Sequence, residues 1–422
     1  MSEGAHPTDR DPAVRAVGAT DGRRDLMTIL AIQALRAFLY GFGSVLIGSE
    51  LAQAGYTDAQ VGLILTAMLA GFALASITVG TIGDRAGRRR VYGGLLLLMG
   101  AAGTVFALTE WLPALLVAAL SGTVSVEANE SGPITSLEQA MIPTTSEGLA
   151  WRNRAFGRYN AIAYLFGSFG ALAAGGPDFF RRFFPALPAS QRFLLVYPVI
   201  GIVGGLLVLR LSPRVEAGRN PQGPRRSPLV RSRKTVSRLA ALFALDAFAG
   251  GFVVNAFIVY WFETRFGASI EVMGLVFFLT GLLQAGSSIA AGWLANRIGQ
   301  LNTMVFTHLP SNVLLMLVPL MPSLGLAVGM FLARSCISQM DVPARQAYVV
   351  SVVDPEERTA AASYTNTARY VVRPAGAAIG GWLTGIWIAG PFIVAGGLKI
   401  VYDLIIWRSF RRVGAREEKT AD

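Results

Sequence analysis

The stretch GTIGDRAGR, from Gly80 to Arg88, has a second copy, GWLANRIGQ, from Gly292 to Gln300. Each copy follows one long apolar run and precedes the next, and the two copies lie about 212 residues apart. A motif repeated at this spacing predicts two duplicated bundles of membrane helices. Many membrane transporters are built from such repeats.

The composition of the chain indicates a membrane protein. Of its 422 residues, 53% are hydrophobic and only 15% are charged, and the mean hydropathy is +0.50. So much apolar surface does not fit inside a water-soluble core, whereas a bilayer accommodates it. The apolar runs lack the alternation of barrel strands, so their backbone groups are satisfied in lipid only as helices. We therefore predict an all-α membrane protein.

Twelve apolar runs, each of about 20 residues, are candidate transmembrane helices. They cover residues 26–48, 59–82, 91–110, 112–142, 155–175, 192–212, 237–262, 270–295, 302–320, 323–350, 358–385 and 387–408. Counting twelve spans places the basic clusters at 85–90, 152–158 and 411–416 on one side. The positive-inside rule makes that side the cytosol, with both termini there. We expect a multi-pass plasma membrane protein, in bacteria an inner membrane protein.

The spans divide the chain into two pseudo-symmetric six-helix bundles. Residues 1–25 are polar and predict a disordered cytosolic tail, residues 26–212 the first bundle, and residues 213–236 a basic cytosolic linker. Residues 237–408 form the second bundle and residues 409–422 a cytosolic tail. Equivalent positions recur in order, because Gly41-Phe42 matches Gly251-Phe252 and Glu138-Gln139-Ala140 matches Arg345-Gln346-Ala347.

Two repeats of six spans, a basic linker and the loop from Gly80 to Arg90 together resemble the major facilitator superfamily. The resemblance implies a cytoplasmic latch in which Gly80 permits close helix packing and Asp84 locks onto the other half. The latch positions carried over are Gly80, Asp84, Arg85, Gly87 and Arg88. The second copy has Asn296 and Gln300 in place of the acid and the last arginine, so we expect a weaker latch there.

Two further cytosolic clasps are expected from the charges at the helix ends. We predict that Glu138 meets the basic cluster at residues 152–158, and that Arg345 meets Glu356 and Glu357. Ion pairs at exposed helix ends contribute little to stability, so their expected role is to open and close access.

Charged residues inside the spans are the main functional signal. A charge at the bilayer centre costs at least about 2.5 to 3.5 kcal/mol, so such residues face a hydrated cavity or one another. One face of the first span carries Gln33, Arg36 and Tyr40, and one face of the tenth carries Arg334, Ser338, Asp341 and Arg345. The set of mid-membrane charges is Arg36, Glu127, Glu130, Asp246, Arg334, Asp341, Arg369 and Arg373.

The repeat reverses the sign of charge at two places, Arg36 against Asp246 and Glu127 against Arg334. The resemblance implies that the helices carrying these four residues line a central cavity. Arginine prefers carboxylate and phosphate partners, which predicts a small anionic or zwitterionic solute. The expected substrate-binding residues are Arg36, Tyr40, Glu127, Asp246, Arg334, Arg369 and Arg373. The alternative is that these charges only join helices, as Asp341 and Arg345 do if they pair one turn apart.

Paired acids predict proton coupling. If Glu127 and Glu130 lie one turn apart on a helix, their simultaneous ionisation is disfavoured and one of them exchanges protons. Asp246 and Asp341 are further candidates for the same role.

These observations predict a secondary active transporter that works by alternating access and is not an enzyme. A proton-driven multidrug exporter is an alternative, although the fourth span lacks an R-x-x-x-G arginine. Two alternatives of a different class are a non-transporting membrane sensor and an intramembrane enzyme.

Cys336 is the only cysteine, and His6 and His308 have no neighbouring residues at metal-ligand spacing, so we expect no metal and no cofactor. The expected partners of the monomer are a solute, protons and the bilayer, with no nucleic acid. The sequence does not identify the solute, the direction of transport or the coupling ion.

Overall fold

The computed structural model describes residues 12–127, 132–142, 149–216, 229–354 and 357–411. Side chains are described at all of these positions except 12–21, 84, 149–154, 350 and 359. The described residues form helices and their connections, without a strand.

The described residues of the first half form eight α-helices. They are α1 (Pro12–Gln53), α2 (Asp58–Ala86), α3 (Arg88–Leu108), α4 (Leu112–Leu120), α5 (Pro133–Met141), α6 (Leu149–Ala174), α7 (Gly176–Arg181) and α8 (Val196–Val208). Short 3-10 helices cover Ser190–Leu195 and Pro213–Val215.

The residues of the second half that the structure describes form another eight. They are α9 (Arg233–Gly251), α10 (Asn255–Phe266), α11 (Ile270–Ile298), α12 (Gln300–Leu317), α13 (Leu324–Ser335), α14 (Asp341–Ser351), α15 (Arg358–Ile386) and α16 (Gly390–Phe410), with a 3-10 turn at Val318–Leu320.

Eight helical segments of the described chain are long and apolar enough to cross a membrane, which confirms the predicted all-α membrane fold. They are Gly22–Gln53, Asp58–Gly83, Arg88–Leu108, Ser190–Val208, Arg233–Phe266, Ile270–Ile298, Gln300–Leu320 and Gly390–Phe410. The other four expected spans correspond to α4 with α5, α6, α13 with α14, and α15. They are helical but do not belong to this group, so the count of twelve spans stays a prediction.

The duplicated motif ends a helix in the same way in both halves. Gly87 separates α2 from α3 with a φ of 92°, and Gly299 separates α11 from α12 with a φ of 84°. Residues with a Cβ rarely adopt such positive φ angles. The last glycine of each copy is therefore needed for the sharp reversal between two membrane helices.

Equivalent glycines also hold equivalent helices together. A Cβ on Gly41 of α1 would overlap the carbonyl oxygen of Gly167 in α6, and a Cβ on Gly251 of α9 would overlap that of Arg373 in α15. Small residues let helix backbones approach closely in lipid. The matched positions Gly41 and Gly251 thus make the same packing contact in each half.

The structure corrects the predicted start of the first bundle. Helix α1 begins at Pro12, so residues 12–25 are not a disordered tail. Asp25 is fully buried and accepts hydrogen bonds from the backbone N–H and the hydroxyl of Ser212. This carboxylate ties the beginning of the first bundle to its end.

Three predicted spans are interrupted rather than continuous. The breaks separate α4 from α5, α9 from α10, and α13 from α14. After α4, Gly122 has a φ of 67°, and the hydroxyl of Ser125 bonds to the backbone N–H and carbonyl of Glu127. Local side-chain bonds of this kind compete with helical hydrogen bonds. Glu127 therefore lies in a non-helical segment.

The two halves contact each other at the end of the molecule that carries the α1–α2 connection. The bonds there join Ser49 and Gln53 to Glu263 at 2.7 and 2.8 Å, Tyr260 to Asp58 at 2.5 Å, and Arg182 to Glu271 at 2.5 Å. At the opposite end, a Cβ on Gly80 or Gly292 would meet no atom within 4 Å. Gly80 therefore does not support close helix packing in this conformation, in contrast to the expectation.

The linker ends in a carboxylate clasp that yields a prediction about acid stability. Glu357 accepts hydrogen bonds from the backbone N–H groups of Val230, Arg231 and Ser232 at 2.8 to 2.9 Å. These bonds, with that of Val230 foremost, lower the pKa of Glu357 to about 2. Because the folded pKa is depressed, the stabilisation is present above the unfolded pKa of about 4.3 and is lost as pH falls through 2.

We expect Glu357→Gln to lower the thermal unfolding temperature at pH 7, and the deficit to shrink steadily below pH 4. Thermal unfolding of the detergent-purified protein at several pH values measures this. Glu110→Gln, which changes an exposed acid, serves as the matched control. An equal deficit at pH 7 and near pH 2 would show that the clasp does not depend on the charge of Glu357.

Candidate functional site

The first half contains a buried ion pair between α1 and α5. Arg36 Nη2 lies 2.6 Å from Glu138 Oε2, and the two side chains are 2% and 0% exposed. The hydroxyls of Tyr92 and Tyr159 donate to the same carboxylate, at 2.7 and 2.5 Å. Gln33 accepts from Arg36. All members are buried, and each oxygen of the Glu138 carboxylate accepts from Arg36 and from one phenol, Oε1 from Tyr92 and Oε2 from Tyr159.

This arrangement corrects the predicted partners of Arg36 and Glu138. Glu138 was expected to meet the basic residues at 152–158. For Arg158 this prediction is wrong, because its side chain is exposed, and the side chains at 152 and 154 lie outside the described part. Glu138 turns inward because Arg36 and two phenols offer it a dry, fully bonded site. Tyr40 stays in the group through its ring, whose centroid is 5.0 Å from the Arg36 guanidinium carbon.

The second half contains a larger cluster centred on Asp246 of α9, which is 3% exposed. Lys399 Nζ lies 2.6 Å from Asp246 Oδ1, and Arg345 Nη1 lies 3.3 Å from Oδ2. Arg369 Nη2 and His308 Nε2 each approach this carboxylate to 3.8 Å. Asp246 is thus the common partner of side chains from four other helices, α12, α14, α15 and α16.

Two more acids complete the Asp246 cluster. Asp341 Oδ2 lies 3.0 Å from Arg345 Nη1, one turn along α14. Asp403 Oδ1 lies 2.9 Å from His308 Nδ1, and Asn312 Nδ2 donates to Asp403 Oδ2 at 3.1 Å. Buried charges are tolerated when they are paired and hydrogen-bonded in this way.

The Asp246 cluster corrects two predictions. Arg345 is buried and does not reach Glu357, whose carboxylate is occupied by the linker backbone, while Glu356 lies outside the described residues. The expected single face of the tenth span is broken, because residues 336–340 separate α13 from α14. Arg334 therefore belongs to a different helix from Asp341 and Arg345.

The two buried pairs occupy matched positions with reversed charge. Arg36 corresponds to Asp246, and Glu138 corresponds to Arg345, in the alignment of the halves. Arg36 bonds to Glu138, and Arg345 bonds to Asp246. The predicted charge reversal between Arg36 and Asp246 is therefore accompanied by a second reversal, between their partners Glu138 and Arg345.

Between the halves, Glu127 bonds to Arg373 of α15. Their side chains are 24% and 17% exposed, so water reaches this pair more than the buried clusters. The helical spacing assumed for Glu127 and Glu130 is wrong at Glu127, which follows the break after α4, and Glu130 lies outside the described residues. Glu127 therefore joins the two halves instead of forming a described carboxylate pair.

Arg334 lies in the last turn of α13 and is half-buried. Its Nε is buried without a hydrogen-bond acceptor. The negative charges of Asp341 and Glu127 act on it from nearby. Within the described part of the chain, Arg334 thus has a guanidinium group that is available to an anionic ligand.

The latch region is held by an acid that the sequence analysis missed. Glu216 accepts from the backbone N–H of Arg88 at 2.6 Å and from that of Arg89 at 3.3 Å, at the N-terminus of α3. A carboxylate is favourable at this position. Arg88 also donates to the carbonyl of Ala140, whereas Arg85 is exposed and the side chain of Asp84 is not described. The described contacts of Arg88 and Arg89 stay within the first half and the start of the linker.

Sequence reasoning also missed Lys399, Asp403, Tyr92 and Tyr159. Lys399 and Asp403 are charges inside an apolar run, so the criterion that identified Asp246 would have found them. The two tyrosines carry no such signal, because their partner Glu138 is distant in the sequence. His308 was set aside for lack of a neighbouring acid, and its acids come from α9 and α16.

Comparison with known proteins agrees with the fold. A family model described as Major Facilitator Superfamily matches residues 29–376 and 247–422. The uncharacterized membrane protein YJR124C of Saccharomyces cerevisiae is 26% identical over 94% of this chain and 96% of its own length.

Solved structures resemble this one at low sequence identity. The nucleoside transporter NupG superposes with a TM-score of 0.71 at 12% identity, covering 92% of this chain and 99% of its own. A bacterial homolog of the human lysosomal transporter Spinster, inward-facing and occupied, gives 0.70 at 16% identity, with coverages of 96% and 98%. The D-xylose-proton symporter gives 0.68 at 13% identity, with coverages of 91% and 98%.

Proposed function

The chain belongs to the major facilitator superfamily, and we propose that it is a secondary active transporter of a small anionic or zwitterionic solute. The observation that carries this proposal is Arg334, half-buried and without a hydrogen-bond acceptor, within electrostatic reach of Glu127. Glu127 is in turn bonded to Arg373 of the other half. A transporter accounts for these charges better than an enzyme, because the described residues contain no group of His, Cys, Asp and Glu side chains that could hold a metal ion.

The pair between Glu127 and Arg373 links solute binding to movement. A carboxylate or phosphate that binds Arg334 and Arg373 competes with Glu127 for the guanidinium of Arg373, because the solute and Glu127 are both anionic acceptors. Binding then weakens a contact between the halves. A ligand shifts a conformational equilibrium only through such a difference in its interactions with the two states.

We expect Arg334→Gln to reduce solute affinity roughly 10- to 100-fold, the amount that one charged hydrogen-bonding partner contributes. Thermal shift with carboxylates, organophosphates, amino acids, sugars and cationic drugs identifies a stabilising solute, and counterflow in proteoliposomes measures its transport. Arg158→Gln, at an exposed arginine of α6, is the matched control. Unchanged counterflow by Arg334→Gln would contradict the proposed site, and stabilisation by cationic drugs alone would favour the multidrug exporter.

The contacts between the halves support alternating access from a state open at the motif loops. The bonds of Glu263 and Asp58 close one end, while Gly80 and Gly292 face open space at the other. The basic loops at the open end favour a cytosolic position for that end and for both termini, by the positive-inside rule. We propose an inward-facing monomer in the plasma membrane.

Cysteine accessibility tests this orientation. In a Cys336→Ser background, which removes the exposed native thiol, we expect Gly80→Cys in inside-out vesicles to react with an impermeant maleimide faster than Ser49→Cys. Ser49 is 1% exposed and lies between the halves, so its thiol should react slower by roughly an order of magnitude or more. Equal labelling of the two thiols would be inconsistent with an opening at Gly80.

Proton coupling is the last part of the proposal. Asp246 and Asp341 lie in the buried cluster, Glu127 lies between the halves, and Glu130 belongs to the undescribed segment after it. If Glu127→Gln transports with an unchanged pH dependence, Glu127 is not the proton-binding acid, and the acids of the buried cluster are the described candidates that are left.

A further inference from the structure

His308 of α12 is a buried imidazole that the proposed transport mechanism has not used. It is 5% exposed and stands between two carboxylates, with Nδ1 2.9 Å from Asp403 and Nε2 3.8 Å from Asp246. Histidine is the side chain whose unperturbed chemistry changes charge between pH 5 and 8. The groups around His308 therefore decide whether a proton can bind there.

Charged and titratable groups face His308 from four helices. They are Asp246 of α9, Asp341 and Arg345 of α14, Arg369 of α15, and Lys399, Tyr402 and Asp403 of α16. Three are basic side chains, Arg345, Arg369 and Lys399, and three are acids, Asp246, Asp341 and Asp403, whose charges cancel when all six groups are ionised. With His308 neutral, the cluster carries no net charge. Protonation of His308 would add one uncompensated charge in a low-dielectric site, which is unfavourable.

Arg369 connects this cluster to the interface between the halves. Its side chain is 28% exposed, against 6% for Arg345 and 11% for Lys399. Its Nε is buried without an acceptor. Arg373 lies one turn further along the same face of α15 and bonds to Glu127 of the first half. Arg369 therefore faces the proposed solute path while still reaching Asp246.

We propose that the His308–Asp403 pair is the proton-binding site and that Arg369 couples it to an anionic solute. An anion that binds Arg369 cancels one positive charge, so the cluster becomes negative. His308 then binds one hydrated proton from the aqueous phase at Nε2, while its Nδ1–H stays donated to Asp403, and neutrality returns. One proton accompanies each anionic charge that binds. This inference rests on the proposed function only in assuming that the solute is an anion.

A purely structural His308 would have the same contacts and the same charged neighbours, but it would keep one protonation state throughout the accessible pH range. The two alternatives therefore differ in whether the imidazole exchanges a proton in this range and whether a charge change at Arg369 alters that exchange. This can be measured without knowing the solute.

The chain has only two histidines, so His6→Gln leaves His308 as the sole imidazole. Protein labelled with 13C at the histidine ring and reconstituted in nanodiscs is titrated by NMR between pH 5 and 9. Arg369→Gln imitates an anion-neutralised arginine. We expect Arg369→Gln to increase the protonated fraction of His308 at a given pH, because a nearby positive charge has been removed. Arg369→Lys, which keeps the charge, should shift the titration midpoint far less.

Asp403→Asn should have the opposite effect to Arg369→Gln, because removing a nearby negative charge disfavours the protonated form of His308. If Asp403→Asn does not fold, the comparison of Arg369→Gln with Arg369→Lys still decides. An imidazole that does not titrate in this range, or equal midpoints in the two Arg369 variants, would overturn the inference. Failure of the proposed function itself would appear separately, as absent counterflow by the unaltered protein.

Discussion

Asp246→Asn is expected to prevent accumulation of folded protein. Lys399, Arg345 and Arg369 all contact this one carboxylate. Removing one partner of a buried pair typically costs about 3–5 kcal/mol, because the other charge is left uncompensated. Here three cations lose their shared acid, so the loss should reach at least that value. Recovery of monodisperse protein by size exclusion and its thermal unfolding temperature measure the effect.

Two further variants show whether the loss arises from unbalanced charge. Asp341→Asn makes the same chemical change within the cluster but affects only Arg345 among the contacts seen, so we expect a smaller loss. Asp246→Asn combined with Lys399→Met removes the cation nearest to Asp246 as well and should recover part of the folded yield. Normal yield of Asp246→Asn, or no recovery in the double variant, would be inconsistent with this account.

Arg36→Met is expected to be the second most damaging change, again by about 3–5 kcal/mol. It leaves Glu138, which is 0% exposed, without its cation, with only the phenols of Tyr92 and Tyr159 bonded to it. Unfolding measured in mixed detergent gives the free energy, and Arg158→Met on the exposed surface of α6 is the control.

Arg36→Met with Glu138→Gln should recover most of that stability, because an amide oxygen still accepts from a tyrosine while both charges are gone. If the double variant is as unstable as Arg36→Met, the damage comes from lost packing around Arg36 instead of an unpaired carboxylate. A transport assay on the double variant would then show whether the pair has a role beyond folding.

Sequence reasoning predicted the fold from features that are local. Apolar runs of membrane-spanning length identify helices without tertiary information, because lipid offers backbone groups no other partners. The repeated motif predicted the duplication, and Gly87 and Gly299 show its physical basis in a shared positive φ. The breaks after α4 and α13 were missed, since short-range bonds such as that of Ser125 do not change apolar periodicity.

The charged residues themselves were also recognisable in the sequence, and Arg36, Asp246, Glu127, Arg334, Arg369 and Arg373 all stand out as ionisable groups in apolar runs. Their partners were not. Glu138 was expected at a cytosolic clasp and instead bonds to Arg36, while Arg345 bonds to Asp246 rather than to the α14–α15 loop. Each partner lies on another helix, about 100 residues away along the chain.

The sequence by itself determined that this protein is a duplicated, helical membrane protein with costly charges in its spans, because hydropathy and helix period are properties of neighbouring residues. Only the tertiary structure decided which charges neutralise one another in dry clusters and which, like Arg334 and Arg369, keep donor atoms without an acceptor. That distinction depends on distances between helices, which packing sets and which no local pattern encodes.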